Sequence, residues 1–138
     1  MSEPRRLIDT STLSEVMKNR DDEIRKRARD YLRTYQRFTF SILTRFEILR
    51  GLHAKGATRQ LEQFDALCSK SEVIPLEDAI VVRAAEIYGW LRNRGSLIDD
   101  MDILIAATAQ CHRLSVITEN ANHFNRVLDL GVESWRSG

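Results

Sequence analysis

The stretch DILIAATAQCHRLSVITEN, residues 102–120, decides the architecture. Its first eleven residues open on an acid and run almost wholly apolar, which predicts a helix over 102–112 packed on most of its sides. After Arg113 and Leu114, residues 115–118 form a strand-length run with Val116 and Ile117 at its centre, followed by the polar pair Glu119 and Asn120. A buried helix feeding a short buried strand belongs to an α/β arrangement. The pattern repeats outward from this unit. Toward the N-terminus, 77–94 is an amphipathic helix through Ile80, Ala84, Ile87, Tyr88 and Leu91, stopped by Gly95. Residues 73–76 read as a strand, and 58–68 and 44–55 as helices. Residues 37–41 alternate around Phe38 and Phe40 as a strand would, and 21–35 carries Ile24, Ala28, Tyr31, Leu32 and Tyr35 at helical spacing. The apolar run 6–9 ends at Asp9 and is followed by a turn-like Thr10-Ser11-Thr12, then a short helix over 13–17. On the C-terminal side, 132–135 reads as an edge strand. Strands alternating with helices predict one α/β domain over 1–138, with a mainly parallel sheet between helical layers.

Composition limits what such a domain can be. The chain has 138 residues, enough for a core without disulfides or a structural metal. Its 21 basic and 20 acidic residues leave a net charge of +1, so any nucleic-acid binding must come from local arrangement rather than overall charge. Cys68 and Cys111 are far apart and lack any ligand spacing, which argues against zinc and suggests small buried thiols. The opening MSEPRRLIDT has no apolar signal region, and no window approaches a membrane span; the expected location is cytoplasmic.

In a parallel sheet, functional residues gather beyond the carboxyl ends of the strands. Asp9 follows the first strand, and Glu119 and Asn120 follow the strand over 115–118. Glu47 and Asp102 lie in the first turns of helices that follow a strand or loop. All four segments can therefore meet at one end of the sheet. Separate carboxylates brought together without a basic partner repel one another, and a bound divalent cation removes that repulsion. Each acid also has a purely structural reading. Asp9 suits a turn or a helix N-cap. Glu47 ends Thr44-Arg45-Phe46-Glu47, a capping-box pattern. Asp102 suits a helix dipole, and Asn120 suits the cap of a short helix toward Phe124. The Ser11 and Thr118 hydroxyls suit either turn capping or holding a carboxylate.

Four stretches carry a family resemblance: LIDTSTLSEV (7–16), TRFEILRG (44–51), SLIDDMDILIAATA (96–109) and SVITENANHFNRV (115–127). Together and in this order they resemble the PIN-domain family, especially the VapC-like and FitB-like toxins of bacterial toxin–antitoxin pairs. The resemblance implies a three-layer α/β/α sandwich and metal-dependent endonucleolytic cleavage of RNA. It also implies a cognate antitoxin and a homodimer. Residue by residue, it makes Asp9, Glu47 and Asp102 the metal-holding acids, for Mg²⁺ or Mn²⁺, and puts Asn120 in the fourth functional position. Spacing to the apolar helix selects Asp102 over Asp99 and Asp100. Glu119 departs from the family pattern: it either supplies a fourth carboxylate or points to solvent.

On this reading the four residues Asp9, Glu47, Asp102 and Asn120 serve phosphodiester hydrolysis by activated water. Arg45 and Arg50 are candidates to guide RNA. His53, His112 and His123 read as surface or packing residues, since no histidine base is needed. The region 30–35 with 45–52 offers apolar and basic surface for a dimer or an antitoxin. Two rivals are weaker. Asp9-Thr10-Ser11-Thr12 nearly matches an aspartyl-phosphate phosphatase motif, but Ser11 stands where that chemistry needs a second Asp. A non-catalytic RNA- or protein-binding module would not need its acids retained.

Overall fold

The computed structural model describes residues 5–136. Five strands form one sheet: β1 (Leu7–Ile8), β2 (Thr39–Ser41), β3 (Glu72–Ile74), β4 (Val116–Ile117) and β5 (Val132–Glu133). Around them lie α1 (Thr10–Lys18), α2 (Asp22–Tyr35), α3 (Ile42–Lys55), α4 (Thr58–Ser69), α5 (Asp78–Asn93), α6 (Asp100–Cys111) and the single turn α7 (Ala121–Phe124). Strand order is β3-β2-β1-β4-β5, and every pairing is parallel. The chain starts at the centre with β1, builds outward to β3, then returns to the other side of β1 for β4 and β5. The order therefore reverses between β1 and β4, where parallel sheets open a crevice beyond their carboxyl ends.

Alternation along the strands assigns the two faces. Leu7, Ile74 and Val116 enter one core with Ile80, Ala84, Ile87 and Leu91 of α5 and with α6. Ile8, Phe40 and Ile117 enter the other with Leu13 of α1, Ile24 and Tyr31 of α2, Ile48 of α3, Phe64 of α4 and Trp135. The sheet thus separates two helical layers, a three-layer α/β/α sandwich. The nearly all-apolar α6 buries Ile103, Ile105, Ala106, Ala107 and Ala109. Its small buried alanines suit its close packing against α5.

Local chemistry explains most boundaries. Asp21 accepts from the amides of Glu23 and Ile24, both at 3.0 Å, and so starts α2. Gly56 closes α3 in the left-handed region (φ 64°), and Gly95 reverses the chain after α5 in the same region. β3 stops before Pro75, which has no N–H to donate to the ladder.

Four sequence expectations need correction. Thr10-Ser11-Thr12 is not a turn but the first turn of α1, with Asp9 at its N-cap position. α3 begins at Ile42 rather than Thr44, because the Ser41 hydroxyl accepts from the Leu43 amide at 3.0 Å; Glu47 is therefore in its second turn and closes no capping box. α6 begins at Asp100, two residues before Asp102. Cys111 is exposed and Cys68 half-buried, so neither is a fully buried thiol. Edge strand β5 lies at the sheet border as expected.

Candidate active site

β1 and β4 deliver the two innermost groups. The Asp9 amide donates to the Ile117 carbonyl at 2.8 Å, which draws Asp9 alongside Thr118 just past both strand ends. Asp9 is 3% exposed. Its backbone is extended at the N-cap of α1, yet its carboxylate makes no cap bond there. Instead Oδ2 accepts from the Thr118 hydroxyl at 2.8 Å and the Ser11 hydroxyl at 3.0 Å. Both hydroxyls are themselves fixed. Thr118 accepts from the Asn120 amide at 2.9 Å, and Ser11 accepts from the Glu119 amide at 3.1 Å. Burial pushes the Asp9 carboxyl above the ordinary carboxylate range; the Thr118 hydroxyl opposes this, and the charge of Asp102 adds to it.

The other acids face the same crevice from α6 and α3. Asp102 is partly buried, and burial raises its carboxyl too; the His123 ring pulls it down, and Asp99 and Glu47 push it up. Glu47 accepts from the Thr10 hydroxyl at 2.6 Å, and that hydroxyl also lies 3.0 Å from the Thr44 hydroxyl. Asp102 acts on Asp9, and Glu47 acts on Asp102, so the three carboxylates share one electrostatic field. Among the described residues, no three His, Cys, Asp or Glu side chains draw close enough to form a ready metal cage. An open cluster of this kind suits magnesium better than zinc, since magnesium takes one or two carboxylates and keeps several waters.

Asn120 occupies the N-cap position of α7 without a side-chain cap bond. Its Nδ2 lies 2.7 Å from His123 Nδ1, and the same ring nitrogen lies 3.2 Å from Asp102 Oδ2. That single nitrogen serves one partner at a time, accepting from Asn120 when unprotonated and donating to Asp102 when protonated. The His123 side chain is 40% exposed, in keeping with a surface position, and it also lies beside Asp102. The available signal was the Asn-x-x-His spacing, which puts both side chains on one side of a helical turn.

Glu119 is turned away from the crevice. Its Oε2 accepts from Thr12 at 2.8 Å and from the Trp135 amide at 3.2 Å, while Oε1 accepts from Ser134 at 2.7 Å and the Arg136 amide at 3.2 Å. Neither a fourth carboxylate in the cluster nor a solvent-facing residue, it ties residues 134–136 to α1. The two candidate arginines also separate. Arg45 bonds Asp65 at 3.0 Å and lies over the Phe64 ring, facing α4. Arg50 stays within 3.8 Å of Glu47 and over the Phe46 ring.

The family assignment rests on more than this geometry, because residues 6–129 match the PIN domain family model, nearly the whole described chain. The chain belongs to the PIN domain family. Within it, ribonuclease VapC1 of Methanocaldococcus jannaschii is 31% identical over 92% of this chain and 84% of its own length. The fold resembles that of DNA-bound VapBC from Salmonella typhimurium, at a TM-score of 0.85 and 24% identity over 97% of this chain and 100% of that one. It also resembles a toxin–antitoxin complex from Klebsiella pneumoniae, at 0.73 and 23% over 96% and 99%. In this PIN domain the acids stand just past β1 and on α3 and α6, at the strand-order reversal.

Proposed function

We propose that the protein is a divalent-metal-dependent endoribonuclease, one PIN domain in extent, acting in the cytoplasm as the toxin of a toxin–antitoxin pair. The observation that carries this reading is the buried Asp9 carboxylate in the field of Asp102 and, beyond it, Glu47. Desolvated carboxylates that repel one another are poorly placed for structure alone and well placed for a cation. The related VapC1 ribonuclease supports RNA as substrate. The likeness to a toxin–antitoxin complex supports an inhibitory partner, and the family resemblance supports a homodimer. Among the described residues no helix is long and apolar enough to cross a membrane.

Asp9, Asp102 and Glu47 would hold Mg²⁺ or Mn²⁺, directly or through water. When bound, the cation supplies positive charge at the phosphodiester and makes water a stronger nucleophile at neutral pH. The chain's own groups prepare for this. Ser11 and Thr118 fix one oxygen of Asp9, and Thr10 orients Glu47. His123 orients Asp102 when its Nδ1 carries the proton.

The test is cleavage of a mixed RNA pool in Mg²⁺ by the wild type, Asp9→Asn and Asp102→Asn. Each substitution is expected to lower the rate by more than the about 10–100-fold typical of removing an outer-shell partner. Unchanged cleavage in both would remove the assignment. RNA binding without cleavage by the wild type would leave a non-catalytic module.

A further inference from the structure

A groove of about 230 Å³ runs from Thr10 and Glu47 between α1, α3 and α4. It is smaller than the roughly 300–1,000 Å³ of drug-sized pockets. Its composition has three parts. Met17, Ile48 and Leu52 supply apolar surface, Gln60 and Gln63 project amides from α4, and Lys18 and Lys55 stand at the rim. Neither lysine forms an ion pair and neither glutamine a side-chain hydrogen bond among the described residues, so their polar capacity is directed outward.

Gly51 supplies a second observation. It lies within α3 with no left-handed requirement, and a Cβ built there meets nothing within 4 Å. Glycine inside a helix costs about 0.5–1 kcal/mol relative to alanine. Neither backbone conformation nor packing demands it here. Gly51 lines the groove, where a larger side chain has open space to occupy.

We infer that this groove is a nucleotide subsite, receiving the base and flanking phosphate of a single-stranded RNA residue next to the cleaved bond. The identity of the polymer rests on the ribonuclease reading above. The match is threefold: lysines for phosphate, an apolar floor for the flat base, and amides for the base edge, which alone carries sequence information. Continuity with Glu47 fixes where the subsite sits relative to the reaction. A peptide occupant would use the apolar floor but has no general need for paired lysines and paired amides together.

The experiment measures binding and cleavage separately, with a 5′-labelled single-stranded RNA library. Three variants are compared with the wild type: Lys18→Ala/Lys55→Ala, Gln60→Ala/Gln63→Ala and Gly51→Leu. All alter exposed or open positions, and thermal melting checks that each is folded. The lysine pair should weaken RNA binding and flatten the slope of log affinity against log salt by roughly 0.7, the contribution of the one single-strand phosphate that the two lysines together neutralise. Replacing the glutamines should change the preferred base beside the cut, and Gly51→Leu should raise KM by filling the groove. If affinity, salt slope and base preference are unchanged in all three variants, the inference is overturned and the groove is left to a peptide partner. If the wild type binds RNA through these residues but does not cleave it, the ribonuclease reading fails and the subsite stands.

Discussion

Asp9 is almost fully buried beside another carboxylate, and the Thr118 hydroxyl, the Thr10 amide and the Ser11 hydroxyl offset only part of the loss of water. Burial raises its carboxyl, so its folded pKa lies above the unfolded value of about 3.9. The sign of the linkage follows. Stability from this group is full below the unfolded pKa and is lost as pH rises through the raised folded value. In EDTA at pH 7, Asp9→Asn should therefore be more stable than the wild type, since an amide oxygen can still accept from Ser11 and Thr118. The difference should shrink as pH falls through that window, which urea unfolding at several pH values would reveal. Magnesium should reverse the ranking, stabilising the wild type by about 2.7 kcal/mol at a hundred times Kd and the variant far less. A variant less stable than the wild type at every pH in EDTA would contradict this account.

Among the elements, the junction after β4 divides its labour between adjacent residues. Thr118 holds Asp9, Glu119 holds the C-terminal segment, and Asn120 meets His123. The Glu119 carboxylate gathers four donors, two of them backbone amides of Trp135 and Arg136. Removing a charged acceptor from such a set leaves donors unpaired and costs about 2 kcal/mol. Glu119→Ala should lower the urea midpoint accordingly while keeping the Mg²⁺-dependent rise in melting temperature. Loss of that rise would make Glu119 part of the cation site after all. Nothing local to residues 115–120 reveals this division, because the partners of Glu119 come from residues 134–136 and from Thr12.

At the scale of the molecule, two cores flank one parallel sheet, and the crevice exists because strand order reverses between β1 and β4. The carboxylates are carried by the end of β1, α3 and α6, so their spacing depends on how both helical layers seat on the sheet. Ile105 is fully buried in the α5–α6 layer. Ile105→Ala should cost about 2–5 kcal/mol, a large share of the roughly 5–15 kcal/mol that holds a typical domain folded. A urea titration measures it; a loss below about 1 kcal/mol would mean that α6 repacks freely and cannot hold Asp102 at a fixed distance.

The sequence by itself determined the alternation of strands and helices, the parallel sheet, Asp9 just past β1 and Asp102 in the first turn of α6. Those features follow from periodicity and from the polar residues that close apolar runs, all local properties of the chain. Glu47, by contrast, moved from the first to the second turn of α3. Only the tertiary structure decided where the polar side chains around them point. It turned Glu119 to the C-terminal segment and brought His123 to Asp102. It directed Arg45 toward α4 and replaced Thr44 by Ser41 as the cap of α3. Each outcome depends on a hydrogen-bond partner remote in sequence, or on a choice between neighbouring caps that packing makes. Local pattern names the element, but the partner that satisfies a buried or half-buried polar group is supplied by the fold.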